Sequence, residues 1–211
     1  MVIRFFERIY MQIKGMRVMF FVPLIGYFVL IPILSWVLSG STGFDINTRL
    51  SDVCYLVVPF LSTWWIYMVL KEYVEGDGRE VLALGKNILP DIFFYSMMNI
   101  ICALFILLIP TEDQVNFYLF IEMIIVAFFM GGLTFFLISF FRNITIAMML
   151  IIFYSAASNY TSYNEYVGRF LESIRITLMQ YSMNGFLPHI KFIVVGTMFW
   201  IIGGLRARKF K

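Results

Sequence analysis

The side chains that most often carry catalysis or hold metal ions are scarce in this 211-residue chain. It has a single histidine, His189, and two cysteines, Cys54 and Cys102. A metal site or a histidine-based triad needs several groups that converge on one point, and the sequence around His189 offers none. Both cysteines fall inside long apolar runs, where a lone cysteine usually serves as a packing residue. These residues therefore predict neither an enzyme nor a metal site.

A nucleotide-binding loop is not found in the sequence either. The phosphate-binding loop of many ATPases and GTPases reads GxxxxGK[ST]. The nearest glycine–lysine pair, Gly85-Lys86, is followed by Asn87 and lacks the upstream glycine at the required spacing. We therefore expect this chain to bind no cofactor of its own.

Ionisable residues in the apolar runs are stronger candidates, because a charge in hydrocarbon is costly and often marks a functional site. Glu122 lies near the start of one run, and Lys191 lies beside another. The two residues could form a buried ion pair or lie on a transport path. Glu122 could instead reach the membrane interface, or pair with an arginine of residues 159–191. Asp91, which follows Pro90, is expected to cap a helix start, where a carboxylate favours the helix dipole.

The most charged window of the chain is residues 71–87, KEYVEGDGREVLALGKN. It has one apolar side and one polar side, and its glycines favour a short amphipathic helix from Gly78 to Gly85. Such a helix is suited to docking a soluble protein, and a solvated turn is the alternative. The candidate docking residues are Glu72, Glu75, Gly76, Gly78, Arg79, Glu80, Val81 and Leu82.

The elements that must position these residues are membrane helices. Hydrophobic residues make up 61% of the chain and charged residues 14%, whereas a soluble domain carries about 25% charged residues. Apolar runs of about 20 residues span the hydrocarbon core as helices. Six runs are predicted to do so, at residues 18–38, 53–70, 92–109, 117–141, 144–158 and 192–205. The last run is short for a span unless its helix begins earlier, near Leu187. The sequence therefore predicts an all-α integral membrane domain over residues 1–211 with six transmembrane helices.

Two further segments are too polar to span. Residues 1–15 carry apolar side chains at helical spacing and basic ones opposite them, which is typical of a helix in the membrane interface. Gly15 is expected to allow the turn into the first span. Residues 159–191 contain a second amphipathic stretch, which we interpret as a re-entrant or interfacial helix on the outer side of the membrane.

The distribution of basic residues predicts the orientation. With the N-terminus in the cytoplasm, twelve of the 16 Lys and Arg residues fall on inner segments and four on outer segments, in keeping with the positive-inside rule. Both termini and residues 71–87 are therefore predicted to be cytoplasmic. The net charge of +3 follows from this distribution and indicates no nucleic-acid partner.

This arrangement resembles the permease subunit of an ABC-2 type transporter. The shared features are an N-terminal elbow helix, six spans, a cytoplasmic coupling helix between spans two and three, and non-spanning outer helices between spans five and six. The family's local motif is matched by Glu75, Gly78, Glu80, Leu82 and Pro90. The gap from glycine to glutamate is shorter here than in the commoner form, and the proline lies farther downstream.

The resemblance implies an ATP-driven permease, an exporter of the bacterial cytoplasmic membrane, that performs no hydrolysis itself. ATP and Mg²⁺ would be bound by a separate soluble ATPase subunit, present in two copies, which grips the coupling helix. A second permease chain, identical or related, would complete the translocation unit in the lipid bilayer. The alternative is a small membrane scaffold or regulatory protein whose charged loop docks a partner that is not an ATPase.

Overall fold

The computed structural model describes residues 2–42, 46–74, 88–109, 113–159 and 187–207. Within these ranges the chain is helical except at Ile88, Ile109, Arg142 and Asn143. The α-helices are α1 (Val2–Met16), α2 (Val22–Ile25), α3 (Ile31–Thr42), α4 (Ile46–Val74), α5 (Leu89–Ala103), α6 (Asp113–Phe141), α7 (Ile144–Asn159) and α8 (Leu187–Ala207). The prediction of an all-α protein is confirmed for these described residues.

Five helical segments of the described chain are long and apolar enough to cross a bilayer. They are Phe5–Gly40, Asp52–Lys71, Leu89–Leu108, Phe117–Phe141 and Ile190–Ala207. The fifth predicted run forms α7, whose apolar stretch Ile144–Ser155 is shorter. The 16 residues of α7 rise about 24 Å, less than the roughly 30 Å of a hydrocarbon core. The described chain therefore has five candidate spans and one short apolar helix, and the six-span layout stays a prediction.

The N-terminal amphipathic residues form α1, which continues into the first candidate span. This segment, Phe5–Gly40, has 36 residues, more than the about 20 that one crossing needs. The α-helix is interrupted at Arg17, whose φ is 49°, two residues beyond Gly15, where the sequence predicts the turn. A 3₁₀ turn follows at Arg17–Phe21.

Two tryptophans of α4 hold this turn in place. The indole N–H groups of Trp64 and Trp65 donate hydrogen bonds of 2.9 Å to the carbonyls of Met19 and Phe20, respectively. A left-handed residue with a side chain persists where its surroundings determine its conformation. These tertiary bonds fix the backbone immediately after Arg17.

Helices α4 and α6 form the centre of the bundle. The apolar window of the α6 span is 72% buried and that of α4 is 56% buried, against 22% for α8 and 28% for Phe5–Gly40. Large apolar side chains such as Val18, Trp36 and Phe153 are exposed on the outside. An exposed apolar surface around a packed interior is the arrangement expected for helices solvated by lipid.

Glycines allow α8 to lie directly against α6. A Cβ atom added at Gly132 would be 2.8 Å from Trp200 Cδ1 and 2.9 Å from the carbonyl oxygen of Gly196. The Trp200 indole also donates a hydrogen bond of 3.0 Å to the carbonyl of Phe128. Small residues that let backbones approach are characteristic of membrane helix interfaces. Gly203 of α8 also lies against α6, since a Cβ atom added there would be 2.8 Å from Phe135 Cδ1.

We predict that Gly132→Ala destabilises the α6–α8 contact by about 1–3 kcal/mol, because overpacking at a close contact forces a backbone to move. Thermal unfolding of the purified chain in detergent measures the change. Gly40→Ala is the matched control, since a Cβ atom there meets nothing within 4 Å. Equal melting temperatures for the two variants would contradict the packing described here.

A two-residue connection joins α6 to α7. Arg142 adopts a φ of 52°, and its N–H donates a hydrogen bond of 2.9 Å to the carbonyl of Ile138, as at the end of many helices. The side-chain oxygen of Asn143 then accepts a hydrogen bond of 3.0 Å from the N–H of Ile146 and caps α7. This turn makes the two helices adjacent.

Replacing Asn143 with Ala should lower stability by about 1 kcal/mol, because the α7 cap is lost. Asn143→Asp keeps a capping oxygen and is expected to retain most of that stability. Both variants are compared with the unaltered chain by thermal unfolding in the same detergent. A loss of similar size in the Asp variant would show that the cap is not the cause.

Candidate functional site

The candidate site lies where the amphipathic helix α1 meets the ends of α4 and α5. Ile9 and Met16 of α1 are buried, while Phe6, Tyr10 and Met11 are exposed. The side chain of Arg8 is only 23% exposed. It is therefore turned towards the bundle, although it belongs to the basic side of α1. Helix α1 therefore packs through both apolar and polar side chains.

Asp91 is the centre of a buried polar group that joins three helices. Its side chain is completely buried. The Arg8 guanidinium forms an ion pair with Oδ1, and Gln12 donates a hydrogen bond of 2.9 Å to Oδ2. The Tyr73 hydroxyl, from the last turn of α4, donates a hydrogen bond of 3.2 Å to Oδ2. We call Arg8, Gln12, Tyr73 and Asp91 the Asp91 cluster.

Each partner in the Asp91 cluster suits a buried carboxylate. Burial first, and then the charge of Asp91, raise the pKa of the Tyr73 phenol above its ordinary value. Tyr73 therefore keeps its proton and remains a donor. A carboxylate removed from water needs a cationic partner and further hydrogen bonds, and Arg8, Gln12 and Tyr73 supply them.

The expectation that Asp91 caps α5 is wrong. The cap position of α5 is Ile88, and no side chain makes a capping hydrogen bond there. Asp91 does lie in the first turn, where a negative charge favours the helix dipole. Its carboxylate instead bonds to a helix 83 residues away in the sequence. The one-turn spacing of Arg8 and Gln12 was a visible signal, but it does not identify the partner.

Glu122 of α6 lies beside the N-terminal half of α4. Its side chain is 2% exposed, and the Tyr55 hydroxyl donates a hydrogen bond to its Oε2. Tyr55 and Tyr73 are about 27 Å apart along α4 at a rise of 1.5 Å per residue, so the two carboxylates lie far apart along the bundle. The contact with Tyr55 was not foreseen from the sequence.

Lys191 lies on an exposed part of α8. Its ammonium group is 5.0 Å from the centre of the Phe192 ring, within the range of a cation–π interaction. The expected pairing of Lys191 with Glu122 stays a prediction.

The predicted docking helix lies outside the described residues. The candidate docking residues that lie outside are Glu75, Gly76, Gly78, Arg79, Glu80, Val81 and Leu82, together with the side chain of Glu72. Residues 160–186 of the predicted outer segment lie outside as well. Among the described side chains, no group of three or more His, Cys, Asp and Glu residues is placed to hold a metal ion.

In comparisons with known proteins, no family model matches this chain, and neither a curated protein nor a solved structure matches it.

The Asp91 cluster makes a stability prediction. Asp91→Leu should cost about 3–5 kcal/mol, because it leaves the Arg8 charge without its partner in a buried site. Arg8→Met should cost a similar amount, because it leaves the Asp91 carboxylate without its cation. Arg8→Met combined with Asp91→Leu should recover much of this loss, since no unpaired charge remains. Thermal unfolding of the two single variants and the double variant gives the coupling energy by a double-mutant cycle. Additive losses would show that Arg8 and Asp91 do not act as a pair.

Proposed function

We propose that this chain is the permease subunit of an ATP-driven ABC exporter, coupled through residues 71–87 to a separate ATPase subunit. The observation that carries the proposal is the Asp91 cluster. It ties the N-terminal amphipathic helix to the two helix ends that residues 75–87 connect. Residues 75–87 are the segment on which a soluble ATPase subunit would have to act.

The Asp91 cluster supplies a mechanical connection. Tyr73, in the last turn of α4, donates a hydrogen bond to Asp91, in the first turn of α5. Arg8 and Gln12 of α1 bond to the same carboxylate. A force on the segment between α4 and α5 therefore acts on three helices together. Because α4 is central and packs against α6, the movement passes into the middle of the bundle.

The remaining parts of the proposal follow from the resemblance and the charge distribution. The chain carries no ATPase site of its own, and ATP with Mg²⁺ is bound by two copies of the soluble subunit. A second permease chain completes the transporter in a bacterial cytoplasmic membrane, with both termini in the cytoplasm. Glu72, Glu75, Arg79 and Glu80 form polar contacts to the ATPase, and Val81 and Leu82 form the apolar anchor.

The direct test is to isolate the tagged chain from native membranes in mild detergent and to measure ATP hydrolysis by the isolated complex. We expect an ATP-binding protein in stoichiometric amount, and ATPase activity that depends on it. A stoichiometric partner that binds no nucleotide would instead favour the scaffold function. Isolation of the chain with no soluble partner would contradict both functions.

Charge reversal tests the docking residues. Glu75→Lys or Glu80→Lys should weaken ATPase association by about tenfold or more, because a like-charge contact at an interface costs several kcal/mol. Asp52→Lys is the matched control, since it makes the same charge change at the opposite end of α4. The melting temperature of the two glutamate variants should equal that of the unaltered chain. Normal association of both glutamate variants would place the docking residues elsewhere.

A further inference from the structure

A cavity between α5, α6 and α8 lies near the middle of three candidate spans. Its volume is about 210 Å³. An engineered apolar cavity of about 150 Å³ binds benzene, so this space is large enough for one substituted ring. We call it the Ser96 cavity, and its lining residues are Phe93, Ser96, Met97, Ile100, Phe128 and Trp200.

The walls of the Ser96 cavity are largely aromatic. The rings of Phe128 and Trp200 are stacked with their centres 6.1 Å apart, and the Trp200 N–H is already bonded to the carbonyl of Phe128. Phe93 and Met97 are exposed on the outside of the bundle, so the cavity is reached from the lipid around the spans. Apolar walls with few polar groups are typical of sites for small molecules.

The hydroxyl of Ser96 is the unsatisfied polar group of this lining. Ser96 is 7% exposed, and its Oγ has no hydrogen-bond partner among the described residues. Several other hydroxyls in the bundle donate to a carbonyl one turn back, as Ser35 does to Ile31 and Thr134 does to Met130, which is common in helices. A buried hydroxyl without a partner is costly. Ser96 therefore has an unused donor at the wall of the cavity.

Gly131 of α6 leaves the Ser96 hydroxyl and the Trp200 ring close together. A Cβ atom added at Gly131 would be 3.5 Å from Ser96 Oγ and 3.4 Å from Trp200 Cζ2. No side chain of Gly131 separates these two groups. A molecule in the cavity can therefore contact an aromatic ring and a hydrogen-bond donor at the same time.

We propose that the Ser96 cavity binds a small lipid-soluble molecule with one ring and one acceptor oxygen, such as an aryl ketone or a quinone. The ring packs against Phe128 and Trp200, since aromatic groups favour stacked and edge contacts. A serine hydroxyl has a single hydrogen to donate, so an acceptor is the group that satisfies Ser96. An acyl chain would suit the walls but would leave this donor unmet. The site lies within one chain, so it goes beyond the proposed function and does not depend on an ATPase partner.

Two probes of equal shape test the proposal. 4-Fluoroacetophenone has a ring and a ketone oxygen, and 4-fluoro-α-methylstyrene has a methylene group in place of that oxygen. Each is titrated into lipid nanodiscs that contain the full-length chain, and fluorine NMR measures the binding above that in empty nanodiscs. We expect saturable binding, with the ketone held about fivefold more tightly than the alkene, which is the effect of one hydrogen bond.

A serine variant tests the donor. Ser96→Ala removes the hydroxyl without filling the cavity, so it should weaken the ketone about fivefold and leave the alkene unchanged. Unchanged alkene binding shows that the cavity is intact in this variant. Ser35→Ala is the matched control, because it removes a buried hydroxyl that is bonded within α3 and does not line the cavity. Both probes should bind this control as they bind the unaltered chain.

A second pair of variants tests the cavity itself. Ile100→Phe fills the space and should weaken both probes about tenfold or more, because the buried apolar contact of the ring is lost. Ile101→Phe makes the same change one residue further on, where the side chain is 59% exposed and does not line the cavity. It should leave both affinities unchanged.

Three results would overturn the proposal. Binding of neither probe would mean that an acyl chain or a neighbouring protein chain fills the cavity. Equal affinities for the two probes, unaltered by Ser96→Ala, would show that the hydroxyl does not act as the donor. Normal binding to the Ile100→Phe variant would place the bound ring elsewhere.

Discussion

The buried carboxylate of Asp91 is the constraint on which the arrangement of this bundle depends. An ionised group removed from water requires compensation from nearby donors. The first turn of α5 cannot supply that compensation by itself, so it comes from the guanidinium of Arg8, the amide of Gln12 and the hydroxyl of Tyr73. Meeting this requirement fixes α1 against the ends of α4 and α5.

The position of α1 affects how the whole chain could respond to a partner. An amphipathic helix held only by its apolar face could slide along the membrane surface, since hydrophobic contact has no preferred direction. Bonds to one carboxylate are directional, and they couple α1 to two spans. In the proposed transporter, this coupling converts a displacement of the segment after α4 into a movement of several helices at once.

The rest of the interior combines two kinds of contact. Close backbone packing at Gly132 and Gly196 brings α8 onto α6, and dispersion between the helices holds it there, because lipid gives no hydrophobic drive for helices to associate. Around α5 the interior is instead polar, from Asp91 to Cys102. In this second region the hydroxyl of Tyr95 and the side-chain oxygen of Asn99 have no hydrogen-bond partner among the described residues.

The sequence by itself determined the class of protein and most helix positions, because long apolar runs must form helices when they are solvated by lipid. It also identified Glu122 and the amphipathic α1 as features to explain. Tertiary structure alone decided that the helix is interrupted at Arg17, just before the carbonyls to which Trp64 and Trp65 donate hydrogen bonds. It also decided that Asp91 binds α1 and does not cap α5. These outcomes depend on contacts between residues about 45 and 80 positions apart, and local spacing carries no information about which distant side chain will satisfy a buried polar group.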